Sequence, residues 1–195
     1  MRLDSLALSV AAIVCIGLAG GPCAALTADQ WKALSEKKGC ETVPESNLQS
    51  TCISRQEGVK GWCKSPACKD TEGLVRTYKQ LKEQWDRTSS SEEKTRLQTE
   101  IDEKERAIKE ERRTLENGVY DFDRCVTARR DVQEVFRRSK DIATYDIDRD
   151  EKVKSDGQAL ALINYWRSEE LLHKEAEDNA VKALNSCKEY LNRLP

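Results

Sequence analysis

The sequence contains little proline, glycine and histidine and few aromatic residues. It contains 4 prolines, 9 glycines, a single histidine and only 6% aromatic residues among 195. No Cys-x-x-Cys motif or internal repeat occurs, and no segment alternates apolar with polar residues as a half-buried strand does. These absences argue against a sheet, a solenoid and a histidine-based zinc centre.

A charge of one sign is also missing. Charged residues form 35% of the chain, but the formal net charge is only −2. Such a balance gives no overall field that would attract DNA, RNA or an anionic membrane. The basic doublets Arg129-Arg130 and Arg137-Arg138 are interleaved with acidic residues, which is typical of a solvated helix face. We therefore expect no nucleic-acid partner.

What is present begins with an apolar N-terminal segment. Arg2 precedes an apolar run over residues 6–18, and a Cys-Ala-Ala sequence ending at Ala25 supplies small residues for a cleavage site. This pattern predicts a signal peptide over residues 1–25, with cleavage after Ala25. The run is shorter than the roughly 20 residues of a membrane span. We expect an extracytoplasmic protein, periplasmic or secreted, with no stable membrane insertion after cleavage.

Beyond the signal peptide the chain keeps an even number of cysteines. They are Cys40, Cys52, Cys63, Cys68, Cys125 and Cys187. An even set in an oxidising compartment predicts three disulfides rather than a metal or redox centre. We expect no cofactor.

The spacing of the cysteines leaves their pairing open. One hypothesis places two disulfides among the first four cysteines and one between Cys125 and Cys187. If the last two helices pack antiparallel around a turn near residue 148, these two cysteines lie about 20 Å out of register. Either the connection over residues 141–155 makes up this offset, or Cys125 and Cys187 each bond to the N-terminal segment.

The mature chain divides into two segments of different composition. Residues 26–72 hold four of the cysteines, and Thr27 is a plausible N-cap for a short helix. Because residues 40–68 show little periodicity, we interpret residues 26–72 as a disulfide-held, loop-dominated cap with one short helix. Residues 73–195 are rich in Glu, Lys, Arg, Leu and Ala, which is the composition of long helices.

Apolar residues recur at helical spacing through this second segment. Three stripes result: Leu74, Tyr78, Leu81 and Trp85; then Leu97, Ile101, Ile108, Leu115, Phe122, Cys125, Val132 and Phe136; and finally Ala159, Leu162, Trp166, His173, Ala176, Ala180, Ala183, Cys187 and Tyr190. A threonine- and serine-rich run over residues 88–91 separates the first two stripes, although one continuous helix is an alternative. Asn117-Gly118 is the predicted break or kink in the second of these helices. The predicted fold is all-α: an antiparallel three-helix bundle or coiled-coil-like hairpin with the loop-dominated cap.

One acidic stretch resembles the start of an EF-hand calcium loop. Asp146, Asp148 and Asp150 have the spacing of the first three ligands, and Asp156 lies near the end of such a loop. The stretch lacks the glycine of the sharp turn and the final bidentate glutamate. We interpret it as a solvated turn and assign no metal, with these four residues as the weak candidates.

The function predicted from these features is protein–protein interaction by an exported, disulfide-stabilised helical protein whose partner is unknown. No catalytic residue is assigned, because His173 has no serine or cysteine partner in any recognisable motif. Two alternatives remain. One is a small extracytoplasmic enzyme, enzyme accessory or inhibitor with a site near Trp62, and the other is a calcium-binding module using residues 146–156.

Overall fold

The computed structural model describes residues 25–195. The predicted signal peptide, except for its last residue Ala25, lies outside this range. The described part is 85% helical and contains no strand. The prediction of an all-α protein is therefore confirmed.

Six α-helices and one short 3-10 helix make up the described part of the chain. The α-helices are α1 (Ala28–Ser35), α2 (Ser46–Trp62), α3 (Glu72–Arg87), α4 (Ser91–Arg149), α5 (Glu151–Asp156) and α6 (Gln158–Arg193). The 3-10 helix spans Gly39–Thr42 and precedes α2.

The longest element, α4, is the helix on which α2, α3, α5 and α6 pack. Its 59 residues extend over about 88 Å at 1.5 Å per residue. α3 contacts its N-terminal part, while α2 and α6 contact its C-terminal part. Ser90 begins the helix by accepting a hydrogen bond from the Glu93 N–H, so α3 and α4 are separate helices and the continuous alternative is wrong.

The apolar stripe predicted for α4 is buried. Its buried members follow a heptad repeat: Leu97, Ile101, Ile108, Leu115, Phe122, Cys125, Val132 and Phe136. α4 runs without a break through Asn117-Gly118, so the predicted kink does not end the helix. Gly157, at φ +74°, provides the left-handed residue between α5 and α6 that glycine adopts most readily.

The largest core lies where α1 and α2 meet α6 and the C-terminal part of α4. Trp31 of α1 and Trp166 of α6 are fully buried and make an edge-to-face contact with ring centroids 6.1 Å apart. The Trp166 indole N–H donates to the Thr42 hydroxyl at 2.8 Å, so this ring is satisfied inside the core. Phe136 of α4 completes the centre of the cluster.

The prediction of a loop-dominated cap with one short helix is wrong, because α2 alone spans 17 residues. Its buried side chains are Leu48 and Cys52, a narrow apolar face that the sequence pattern does not reveal. Gly58 lies inside this helix, and a Cβ there would be 2.3 Å from the Trp62 ring. The glycine therefore makes room for a tryptophan rather than forming a loop.

Three disulfides connect the described part of the chain. They join Cys40 to Cys52, Cys63 to Cys125, and Cys68 to Cys187. The pairing hypothesis is correct only for a first bridge within the N-terminal four cysteines; the proposed Cys125–Cys187 bridge is wrong. The register offset between α4 and α6 is the physical reason, and each of these two cysteines instead bonds to the N-terminal segment.

Hydropathy along the helices bears on membrane insertion. Within residues 25–195, none of the helices combines the length and the apolar character needed to cross a bilayer.

Candidate protein-binding surface

The side chains of Trp62 on α2 and of Tyr120 and Arg124 on α4 form a stack where the two helices meet. The Arg124 guanidinium lies 4.8 Å from the ring centre of Trp62 and 4.7 Å from that of Tyr120. Tyr120 and Arg124 are four residues apart on α4, so they occupy one helix face. A guanidinium between two aromatic faces is held by cation–π attraction.

The position of Trp62 in this stack is fixed from two sides. Its ring lies directly over Gly58, one turn earlier in α2. The next residue, Cys63, is bonded to Cys125 of α4, which lies beside Arg124. The stack is therefore anchored covalently, yet Tyr120 is 56% exposed and Trp62 only partly buried.

A groove of 510 Å³ adjoins the stack, between the segment after α2 and the middle of α4. It is lined by Ser65, Pro66, Ala67, Cys68, Lys69, Glu111, Thr114, Asn117, Gly118 and Asp121. The Ser65 hydroxyl donates a hydrogen bond to the Asp121 carboxylate. Asn117 and Arg124 are seven residues apart on α4, so groove and stack lie on the same side of this helix.

Gly118 explains how the groove is closed at its base. A Cβ at this position would lie 2.8 Å from the Cys68 sulfur and 3.2 Å from the Cys187 sulfur. The missing side chain lets the Cys68–Cys187 disulfide cross directly over α4. The segment that forms one wall of the groove is thereby held against the helix.

A polar cluster, separate from the stack and the groove, lies in the contact between α4 and α6. Glu177, only 5% exposed, accepts hydrogen bonds from Arg130 at 2.9 Å and from Gln133 at 2.8 Å. His173, one turn earlier on α6, places its Nδ1 3.3 Å from a terminal nitrogen of Arg129. The cluster interrupts the apolar contact between α4 and α6. Its hydrogen bonds can form in only one register of the two helices, so they specify that register.

The ionisation of this cluster follows from burial and from its partners. Burial, assisted by the positive charge of Arg129, lowers the pKa of His173 to about 4, so the imidazole is neutral at physiological pH. Burial opposes ionisation of Glu177, but its hydrogen bonds from Gln133 and Arg130 outweigh this effect and lower the pKa of its carboxyl.

The acidic residues considered for calcium are placed in different surroundings. Asp146 is buried in the last turns of α4, and Asp148 is exposed on the same helix. Residues two apart on a helix point in different directions. Asp150 accepts a hydrogen bond from the Lys152 N–H at the start of α5, and Asp156 ends that helix. Within residues 25–195, no group of three or more potential metal ligands converges.

The residues that favoured an enzyme are also separated. His173 is buried in the α4–α6 contact and does not line the groove, while Trp62 stacks on Arg124. Sequence reasoning missed Tyr120 and Arg124. Their four-residue spacing was visible, but their contact with Trp62 depends on the Cys63–Cys125 disulfide, which the spacing of the cysteines does not predict.

Comparison of the chain with protein-family models, with curated proteins and with solved structures finds no match. Any function of the surface is therefore inferred from its own geometry.

Proposed function

We propose that this is an exported protein that binds a partner protein through the stack of Trp62, Tyr120 and Arg124 and the adjoining groove. The long helices act as a coiled-coil-like bundle that carries this surface. The proposal depends chiefly on one observation, the exposed Arg124 guanidinium that lies over the rings of both Trp62 and Tyr120.

The composition of the stack supports binding to a protein. Trp, Tyr and Arg are the residue types most enriched among the side chains that dominate binding energy at protein interfaces. In the stack all three are pre-positioned by α2, α4 and the Cys63–Cys125 disulfide. Such pre-positioning reduces the conformational entropy that is lost on binding.

The charge of the surroundings favours a protein over a nucleic acid. The groove carries Lys69 beside Glu111 and Asp121, and the whole chain has a net charge of −2. A surface that binds nucleic acid non-specifically needs a clustered excess of basic residues. Mixed charge around aromatic anchors is the pattern of a protein interface.

The test compares two tyrosine–arginine pairs on the same helix. The variant Tyr120→Ala/Arg124→Ala removes the stack. Its matched control, Tyr145→Ala/Arg149→Ala, removes a second stacked pair of the same spacing, in which Arg149 lies 5.0 Å from the Tyr145 ring centre. Each protein is expressed in its native host and cross-linked to its neighbours after export. It is then captured, and the co-captured proteins are quantified by mass spectrometry.

We expect partners captured by the unaltered protein to be reduced at least about tenfold by the first variant, as for loss of an interface hot spot. The control should retain them. Circular dichroism of both variants checks that the helices persist. Equal capture by the two variants, whether both retain or both lose the partner, would contradict a binding role for the stack.

A further inference from the structure

The buried carboxylate of Asp146, near the end of α4, is used by none of the features described above. The residue is 1% exposed. Its Oδ2 accepts a hydrogen bond from the backbone N–H of Leu26 at 2.7 Å. No salt bridge to Asp146 is present within residues 25–195. Burying an ionised carboxylate costs free energy, because the charge loses its hydration. A neighbouring positive charge compensates this cost.

Within residues 25–195, no cationic side chain pairs directly with the Asp146 carboxylate. Arg149, on the same helix, is stacked on Tyr145 and hydrogen-bonded to its hydroxyl. Asp150, at the junction with α5, adds a second negative charge. Burial raises the pKa of the Asp146 carboxyl above its ordinary value. Three groups lower this pKa and offset the effect of burial only in part: the Leu26 N–H, the Trp31 indole of α1 and Arg149.

The hydrogen-bond donor has a special place in the sequence. Leu26 directly follows the predicted cleavage position after Ala25. Its side chain packs against the core that contains Trp31, and α1 begins two residues later. Both contacts fix the position of the Leu26 backbone nitrogen. Thr27, the next residue, is the N-cap of α1 and forms a capping box with Gln30.

We propose that hydrolysis of the Ala25–Leu26 peptide bond creates an α-ammonium group on Leu26 that pairs with the buried carboxylate of Asp146. A processing protease adds water across the bond: the carbonyl carbon of Ala25 takes the hydroxyl and leaves as a carboxylate. The Leu26 nitrogen gains protons and becomes a cation. This inference uses only the export part of the proposed function and is independent of partner binding.

The pair would link processing to the stability of the folded chain. Before cleavage, an uncharged amide N–H faces Asp146; after cleavage, a full positive charge occupies the same position, 2.7 Å from the carboxylate oxygen. The new charge compensates the burial of the carboxylate and fixes α1 to the end of α4. The uncleaved chain therefore lacks one stabilising contact that the mature chain has.

The experiment compares two forms of the protein, both with their disulfides formed. One begins at Leu26 and the other, one residue longer, begins at Ala25. The pKa of the terminal amine is measured by NMR titration with ¹⁵N at that residue, and the Tm is measured across the same pH range. We expect the Leu26 amine to titrate about one unit or more above the ordinary α-amino value, as for a group beside an opposite charge. The Ala25 amine should titrate normally.

Stability supplies the second readout. The chain beginning at Leu26 should have the higher Tm at pH 7, and its advantage should disappear as the amine deprotonates at high pH. Asp146→Asn should remove the advantage too. If this variant does not fold, the Ala25 chain still tests the pair, because it keeps the carboxylate.

Two results would overturn the inference. One is an ordinary pKa of the Leu26 amine together with equal Tm values for the two chains. The other is an intact mass of the exported protein that corresponds to a first residue other than Leu26. Neither result depends on partner capture by the Tyr120 and Arg124 variants, so failure of the two proposals is distinguishable.

Discussion

Gly118 is the single residue that allows a disulfide to cross the middle of α4. We predict that Gly118→Ala destabilises the protein by about 1–3 kcal/mol, because the new methyl group would overlap the Cys68 sulfur. Urea unfolding measures this change. The control is Gly73→Ala in α3, where a Cβ meets open space and alanine is the better helix former. Similar losses in both variants would show that helix geometry, not the disulfide, sets the cost.

His173 should make the stability of the protein fall in mild acid. Its pKa is about 4 in the folded protein and about 6.5 in the unfolded chain, so the unfolded state binds the proton more readily. Its contribution is complete above pH 6.5 and is lost as the pH falls towards 4. We predict that His173→Gln removes about 3 kcal/mol of the stability difference between pH 7 and pH 4.

Two measurements check this prediction. The chain has one histidine, so its NMR titration is unambiguous and should show a midpoint near pH 4. Unfolding free energies of the unaltered and His173→Gln proteins are then compared across the pH range. The buried Asp146 carboxyl titrates in both proteins and is removed by subtraction. A midpoint near 6.5 would mean that the imidazole is accessible to water, contrary to its burial.

Among the elements, the tip of the hairpin of α3 and α4 is held by a small apolar cluster of its own. Its tip depends on Leu81, Leu97 and Ile101, with Trp85 packed against them, and no disulfide joins the two helices. We predict that Leu97→Ala, which empties a site 2% exposed, lowers local stability by about 2–4 kcal/mol. Amide exchange should accelerate in α3 and in the first turns of α4.

The same exchange experiment contains its own control. Protection around Phe136 and Trp166 should be unchanged by Leu97→Ala, because those residues belong to a separate core. Leu171→Ala, at a position that is 66% exposed, should alter neither region. Loss of protection throughout the molecule would show that the hairpin and the larger core unfold together.

The elements also show which parts of the fold were predictable from sequence. The stripe of α4 was, because a heptad pattern is local and long, and Ser90 marks its start. α2 was not, because Gly58 and Gly61 resemble loop residues until the ring of Trp62 is placed over the first of them. A neighbour far along the chain can also explain a residue: Gly118 does not break α4, and it accommodates the Cys68–Cys187 disulfide.

The candidate surface was predictable only in part for the same reason. Trp62 is one of the residues that the sequence singles out, but its partners Tyr120 and Arg124 lie 58 and 62 residues later in the chain. Their meeting depends on which cysteine bonds to Cys63. Since spacing leaves that choice open, no property of the isolated segments indicates the stack.

At the scale of the whole molecule, the disulfides differ in how much of the chain they constrain. The Cys40–Cys52 bridge spans 12 residues, whereas Cys63–Cys125 spans 62. By loop-closure entropy, we predict losses of about 3 kcal/mol when the first pair is changed to alanine and about 4 kcal/mol for the second. Urea unfolding of the two double variants tests this order.

The circular dichroism of both variants should stay mainly helical in the absence of urea, because α4 and α6 also pack on each other through apolar residues such as Phe136, Leu162 and Trp166. A larger loss for the Cys40–Cys52 variant would show that native packing around this bridge, rather than chain entropy, determines its contribution.

The two long bridges have a topological consequence for a protein exposed to proteases. Cys63–Cys125 and Cys68–Cys187 turn the chain from residue 63 to residue 187 into a closed covalent circuit. A single cut anywhere inside this circuit opens one arc but releases no fragment, because at least one bridge still spans the cut. The turn between α3 and α4 can therefore be nicked while both halves remain one molecule, and only reduction would separate them.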